Sequence, residues 1–195
     1  EHWDRLWPGG YTFAYADGLF RPSTDTFLLG AFPGAAGARV CDLGAGIGLL
    51  GLLLLAREPE LTVTGVELQP AACGLFRRTA AENGLEDRLR CLEGDLRDPG
   101  LLPPGRFRLA VSNPPYFPPE AGAVAPDVAR RSARAETDCT LSQLCAAASR
   151  ALTWGGSFCL VHRPDRLADV PAIIHGQPSS DQRLSPSSRN ESSPR

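Results

Sequence analysis

The chain has 195 residues, 43% of them hydrophobic and 22% charged, with a formal net charge of −2. That balance suits a single α/β-sized core and excludes a disordered or fibrous chain. No run approaches the ~20 apolar residues of a membrane helix, because the most apolar stretch, residues 47–56, is interrupted by Gly48 and Gly51. All 20 basic residues are arginine, which excludes lysine-based sites such as a P-loop or a Schiff base. The six cysteines form no C-x-x-C pair and the three histidines stand apart, so no metal-ligand spacing is present and no metal is expected. Cysteines inside apolar runs, such as Cys41 and Cys159, read as small buried hydrophobes of a reducing compartment. The chain opens at Glu1 without the charged start, apolar segment and cleavage site of an export signal. A fragment or trimmed product in the cytoplasm is expected.

Residues 1–37 form an aromatic-rich N-terminal segment carrying Trp3, Trp7, Tyr11, Phe13, Tyr15 and Phe20. It ends in Ser23-Thr24-Asp25 and an apolar run, the pattern of an N-capped opening helix stopped by Pro33-Gly34. A strand over 39–43, a glycine turn, an apolar helix over 49–57 and a strand over 61–67 make a βαβ unit. A helix follows over 70–83, with Pro70 tolerated in its first turn and Asn83-Gly84 as its stop, then a strand at 89–92. A fourth strand spans 107–112. After a Pro-rich loop come a helix over 141–152, capped by Asp138 or Thr140, a turn at Trp154-Gly155-Gly156 and a fifth strand over 157–161. Strands alternating with helices imply an α/β fold, a Rossmann-like, doubly wound and mainly parallel sheet covered on both faces, over residues 38–170. Residues 171–195 are expected to be a disordered tail, because from Gly176 onward Leu184 is the one large apolar residue.

Asp42-Leu43-Gly44-Ala45-Gly46-Ile47-Gly48 follows a strand and opens a helix, where glycine backbone lets a ligand approach. The spacing is G-x-G-x-G; a dinucleotide fingerprint wants its third glycine one residue later, where Leu49 stands. With Asp42 just upstream, a cationic or zwitterionic ligand fits better than a diphosphate. Glu67 closes the second strand, where a carboxylate can accept hydrogen bonds from both ribose hydroxyls. Asp42, Gly44, Gly46, Gly48 and Glu67 together suit the methionyl and adenosyl parts of S-adenosylmethionine. Asp95, on the loop after the third strand, either reaches an adenine amino group or serves as an ordinary loop or capping acid.

Asn113-Pro114-Pro115-Tyr116 closes the fourth strand, at the edge where open α/β sheets hold their ligands. The exocyclic nitrogen of adenine, or of a glutamine amide, is a poor nucleophile because its lone pair is delocalised. If the Asn113 side-chain oxygen and the Pro114 carbonyl accept its two N–H protons, the nitrogen can pyramidalise toward a sulfonium methyl without a strong base. The prolines fix φ and remove competing donors, and the Tyr116 ring offers a stacking face. The plainer alternative is a rigid turn that ends a strand.

These two motifs resemble those of the class I S-adenosylmethionine-dependent methyltransferases that methylate amino groups, and within them the bacterial adenine-N6 methyltransferases of valine tRNA. The resemblance runs from about residue 18 to residue 170. It takes in Phe20-Arg21-Pro22-Ser23-Thr24-Asp25-Thr26-Phe27-Leu28-Leu29, Ser112-Asn113-Pro114-Pro115-Tyr116-Phe117, Arg134-Ala135-Glu136, Cys139-Thr140-Leu141 and the segment from Gly155 to Leu167. It implies that Asp25, Asp42, Gly44 and Gly46 hold the methionyl part of the cofactor, that Glu67 holds the ribose, and that Asn113, Pro114 and Tyr116 handle the target amine. Phe117 belongs to the same turn. The implied partner is RNA, a valine tRNA, with no membrane or metal. Arg130, Arg131 and Arg134 are candidate phosphate contacts or else a solvated face, since the net charge of −2 offers phosphates little general attraction.

Two departures from the family stand out. Arg134-Ala135-Glu136 replaces the family's Arg-His-Glu, and after Val170 a Ser/Pro/Arg tail replaces two strands and a basic terminal region. A C-terminally truncated sheet with the fifth strand as an exposed edge is therefore expected. Two other functions stay open: a protein glutamine-N5 methyltransferase using the same turn, and a non-catalytic binding module whose sheet edge is covered by a partner.

Overall fold

The computed structural model describes residues 1–19, 23–34, 37–114 and 139–161. Tyr116, Phe117, Arg130, Arg131, Arg134, the Phe20-Arg21-Pro22 stretch and the 171–195 tail lie outside the described residues.

The elements run β1 (His2–Arg5), β2 (Thr12–Tyr15), α1 (Thr24–Ala31), β3 (Arg39–Leu43), α2 (Leu49–Arg57), β4 (Thr62–Glu67), α3 (Pro70–Glu82), β5 (Leu89–Glu93), β6 (Phe107–Ser112), α4 (Leu141–Ala151) and β7 (Leu152–Leu160). Five parallel strands form one sheet in the order β5-β4-β3-β6-β7, and β1 and β2 form a separate antiparallel hairpin. The order reverses at β3. The C-terminal ends of β4 and β6 therefore flank the loop that leaves β3, the switch point where open α/β sheets bind ligands.

Side-chain alternation along the strands divides the core in two. Val40, Val63, Leu109 and Val111 face a cluster built with Leu29 of α1, the leucines of α2, and Leu75 and Phe76 of α3. Cys41, Leu43, Val66 and Ala110 face the other cluster, with Leu141, Leu144, Cys145 and Ala148 of α4. Helix α2 is buried almost all round, which explains a sequence with no polar stripe. Helix α1 docks on it: Arg57 donates to the Gly30 carbonyl at 2.9 Å and also to the Pro33 carbonyl, which satisfies carbonyls at the end of α1.

The aromatic lead-in is the β1–β2 hairpin, which the sequence did not suggest. Its inner strand is paired on one side by β1 and on the other by helix side chains. Thr12 N–H donates to Asn83 Oδ1 at 2.9 Å, Asn83 Nδ2 donates back to the Thr12 carbonyl at 2.7 Å, and Ala14 N–H donates to Thr79 Oγ1 at 3.0 Å. Side chains of α3 and of its C-cap thus do for β2 what a third strand would do.

One further detail differs from the sequence expectations. Helix α4 stops at Ala151 and β7 begins at once, so Trp154-Gly155-Gly156 is a bulge within a strand rather than a turn before one. The pairing of β7 with β6 jumps from Phe107 opposite Leu152 to Leu109 opposite Ser157, and Gly155 takes a φ of +69°. The α4 cap is Thr140, which accepts the Gln143 N–H at 3.3 Å while Gln143 Oε1 accepts the Thr140 N–H at 2.9 Å, a reciprocal capping box. No cysteine among the described residues is bridged, and burial pushes Cys41 and Cys91 up to about 12, so both stay thiols. Among the described residues no helix is long and apolar enough to cross a membrane, and no group of His, Cys, Asp and Glu is placed to hold a metal.

Candidate functional site

The loop after β3 is pinned to the end of β4. Gly44 N–H and Ala45 N–H both donate to the Val66 carbonyl at 3.0 Å, and Gly46 N–H donates to Glu67 Oε2 at 2.8 Å. The other oxygen of Glu67 accepts the Gln69 N–H at 2.8 Å. Gly44, Gly46 and Gly48 all take positive φ, at +76°, +56° and +83°, values that side-chain-bearing residues adopt at a cost. Above Gly44 and Gly46 a Cβ would meet nothing within 4 Å, whereas at Gly48 it would strike the Phe76 ring at 2.6 Å. The first two glycines thus leave a bare backbone cradle, and the third lets α2 start against α3.

Asp42, on β3 beside this loop, is 1% exposed, and its Oδ2 has no hydrogen-bond partner. Burial, and secondarily the Glu67 charge, push its carboxyl up to about 7. An orphaned buried carboxyl oxygen next to a second buried acid calls for a cationic group from outside the chain. The donor set fits S-adenosylmethionine: its positive charges suit Asp42, and its ribose hydroxyls suit Glu67, whose two oxygens keep lone pairs beyond those used by Gly46 and Gln69. The bare cradle at Gly44 and Gly46 admits a ligand close to the backbone.

Asp95 follows β5 at the same edge of the sheet. Its carboxylate accepts the Arg97 backbone N–H at 2.8 Å and is bound in a fork by the Arg97 guanidinium, whose Nε lies 2.9 Å from both oxygens. That hydrogen bonding holds its carboxyl below the usual carboxylate range. An acceptor at this edge suits the hydrogen-bond donors of an adenine amino group.

Asn113 continues β6 by one residue, and Pro114 after it biases its backbone toward extended geometry. The position is fixed from below by Ser112, fully buried, whose hydroxyl donates to the Leu43 carbonyl at 2.6 Å. Asn113 Nδ2 donates to Thr26 Oγ1 at 2.7 Å, so the first turn of α1 meets the end of β6. Asp25, half-buried, is the neighbouring residue of that turn. The structure therefore sets Asp25, Asp42, Gly44, Gly46, Gly48, Glu67, Asp95, Asn113 and Pro114 on elements that meet the C-terminal edge of the sheet. Thr26, Ser112 and Gln69 also belong to this edge and were missed by sequence reasoning. A hydroxyl ending an otherwise apolar strand was the available signal for Ser112; Thr26 offered none beyond its place in the apolar face of α1.

A parallel sheet with this strand order, a glycine cradle after the central strand, a buried acid at the end of one neighbour and Asn-Pro at the end of the other defines the class: a Rossmann-like S-adenosylmethionine-dependent methyltransferase. The chain belongs to the family described as Methyltransferase small domain, whose model matches residues 22–169. It is 39% identical over 158 residues to a tRNA1(Val) (adenine(37)-N6)-methyltransferase of Porphyromonas gingivalis, covering 77% of this chain and 61% of that one. It is 34% identical over 176 residues to the protein of the same name from Yersinia pestis, covering 87% of this chain and 70% of the other. The chain thus spans only about three-fifths of the length of the first of these relatives, 61%. Among solved structures it is similar in fold to a predicted O-methyltransferase from Agrobacterium tumefaciens, with TM-score 0.57, 23% identity, and coverage of 76% of this chain and 65% of the other. A precorrin-6y C5,15-methyltransferase from Geobacter metallireducens gives TM-score 0.59 at 14% identity, covering 84% and 75%. A geranyl diphosphate C-methyltransferase from Streptomyces coelicolor, solved with S-adenosyl-L-homocysteine, gives 0.55 at 19%, covering 77% and 50%.

Proposed function

We propose that this chain methylates the exocyclic N6 amine of adenine in RNA, with a valine tRNA as substrate. The observation that carries the reading is the place of Asn113 and Pro114, at the end of the strand beside the glycine cradle, with the Asn113 NH2 already engaged by Thr26. The names of the curated relatives support adenine over a glutamine amide as the planar target.

S-adenosylmethionine, when bound, supplies an electrophilic methyl on a sulfonium. Asp42 and Glu67 hold that cofactor's cationic and ribose parts, with Asp25 on the methionyl side and Asp95 toward the adenine. Asn113 Oδ1 and the Pro114 carbonyl accept the two hydrogens of the target amine, which draws its lone pair out of conjugation and aims it. The amine proton leaves after the nitrogen has become cationic and acidic, so no strong base is needed. Tyr116 and Phe117 give the base a stacking surface, and Arg130, Arg131 and Arg134 meet phosphates. With a tRNA substrate the chain works in the cytoplasm, and the proposal requires neither a membrane nor a metal.

The test is mass spectrometry of valine tRNA and of a glutamine-containing peptide after incubation with cofactor. N6-methyladenosine in the tRNA alone is expected, and Asn113→Ala should lower kcat by roughly 10²-fold or more while leaving cofactor affinity near the parental value. Methylation of the peptide alone, or an Asn113→Ala protein working at the parental rate, would overturn the reading.

A further inference from the structure

We propose that Thr26 is a positioning residue that selects which end of the Asn113 amide faces the target amine. The inference rests on the reading of Asn113 as the acceptor for that amine. A side-chain amide has two orientations related by a half-turn, and they exchange an acceptor oxygen for a donor NH2. Only one of them can receive a hydrogen from the substrate; the other would set donor against donor.

The choice is made from α1. Thr26 Oγ1 lies 2.7 Å from Asn113 Nδ2 and 3.3 Å from Ser23 Oγ. Ser23 is the N-cap of α1, and its hydroxyl oxygen accepts the Thr26 N–H at 3.4 Å. Asn113 Nδ2 donates to the Thr26 hydroxyl, and Ser23 Oγ is the partner to which that hydroxyl can pass its own proton, so the proposed donation runs from Asn113 to Thr26 to Ser23. Thr26 is 4% exposed, which leaves little room for water to take its place. Neither end of the link is loose: Arg57 fastens α1 to α2, and the Ser112 hydroxyl fastens the end of β6 to β3. The Asn113 oxygen is thereby committed as an acceptor before substrate arrives, so the transition state need not reorganise it.

The chain has three asparagines, Asn83, Asn113 and Asn190, so the side-chain amide of Asn113 is assignable in a nitrogen-15 spectrum by its loss in Asn113→Ala. Thr26→Val keeps the shape of the side chain and removes the hydroxyl. It should shift the Asn113 amide pair, speed its solvent exchange, and lower kcat on valine tRNA by about tenfold or more, with KM and cofactor Kd within about twofold. Thr26→Ser should restore both signals, and Thr26→Val added to Asn113→Ala should cause no further loss. If the valine variant does not fold, Thr26→Ala is read by the same two signals. An unmoved Asn113 amide, a parental kcat, or a loss confined to KM or cofactor binding that serine does not restore would overturn the inference. Parental turnover in Thr26→Val beside a crippled Asn113→Ala would overturn the Thr26 role alone; parental turnover in Asn113→Ala would overturn the reading beneath it.

Discussion

One oxygen of Glu67 accepts the Gly46 N–H at 2.8 Å, so the acid that ends β4 also holds the glycine cradle in shape. Its second oxygen does the same for Gln69, ahead of α3. Glu67→Ala should therefore weaken S-adenosylmethionine binding by ~1.5–3 kcal/mol through loss of charge-assisted hydrogen bonds. Glu67→Gln should be no milder than alanine. An amide satisfies one of the two backbone N–H groups but turns its own NH2 against the other. Calorimetric titration with cofactor checks both, and a near-parental affinity for Glu67→Gln would contradict the double-acceptor geometry.

The buried carboxyl of Asp42 makes both stability and cofactor binding depend on pH. Its pKa rises from 3.8 to about 7 on folding, so between those values the folded chain keeps a proton that the unfolded chain has lost. The associated stability is fully present below the lower value and is lost as pH rises through about 7. Denaturant unfolding at several pH values should show Asp42→Asn gaining on the parent across that interval. A cationic ligand favours the ionised acid, so cofactor affinity should climb toward neutral pH with uptake of ligand releasing about one proton, and level off above it. In Asp42→Asn the binding should be weaker and this pH dependence absent. An affinity profile unchanged by the substitution would remove Asp42 from cofactor binding.

Helix α2 and strands β3 and β6 were legible residue for residue, since each combines a run of buried apolar side chains with glycine or proline punctuation. The hairpin was not. All four residues of β1 are exposed, so they carry no alternation, and the bonds that hold β2 on the side away from β1 come from Asn83 and Thr79, more than sixty positions away. Gly155 announced its left-handed backbone, but a bulge and a turn ask the same of a glycine, and only pairing with β6 separates them. At the candidate site the acids and glycines were legible because their chemistry is local to each strand end. The Thr26–Asn113 contact joins positions 87 apart and depends on how α1 docks, which no local pattern specifies.

Asn83 looked like a helix stop, and its side chain does more than end α3. It accepts from the Thr12 N–H and donates to the Thr12 carbonyl, in the manner of a strand partner. Asn83→Ala should lower stability by ~1–3 kcal/mol, since both groups of Thr12 lose a half-buried partner. Hydrogen exchange should quicken at Thr12 and Ala14 before it does in the parallel sheet. Uniform acceleration across the chain would show that the hairpin is not a separate unit of stability.

Gly65 lies in the middle of β4, where a glycine weakens a strand unless something needs the space. Two neighbours need it: a Cβ there would sit 2.5 Å from the Phe76 ring and 2.7 Å from the Ala45 Cβ. The Phe76 ring is fully buried and cannot retreat, while Ala45 belongs to the cradle that Val66 and Glu67 pin in place. Gly65→Ala should therefore overpack the core by ~1–3 kcal/mol and lift the loop from the strand end. The loop is the softer of the two neighbours, so cofactor affinity should fall further than a Gly65→Ala change confined to the core would require. Phe76→Leu vacates part of the ring's space, so the double variant should recover affinity relative to Gly65→Ala although each single change is destabilising. Calorimetry on the four proteins of this cycle measures the coupling. Strict additivity would mean that Gly65 does not set the height of the glycine loop.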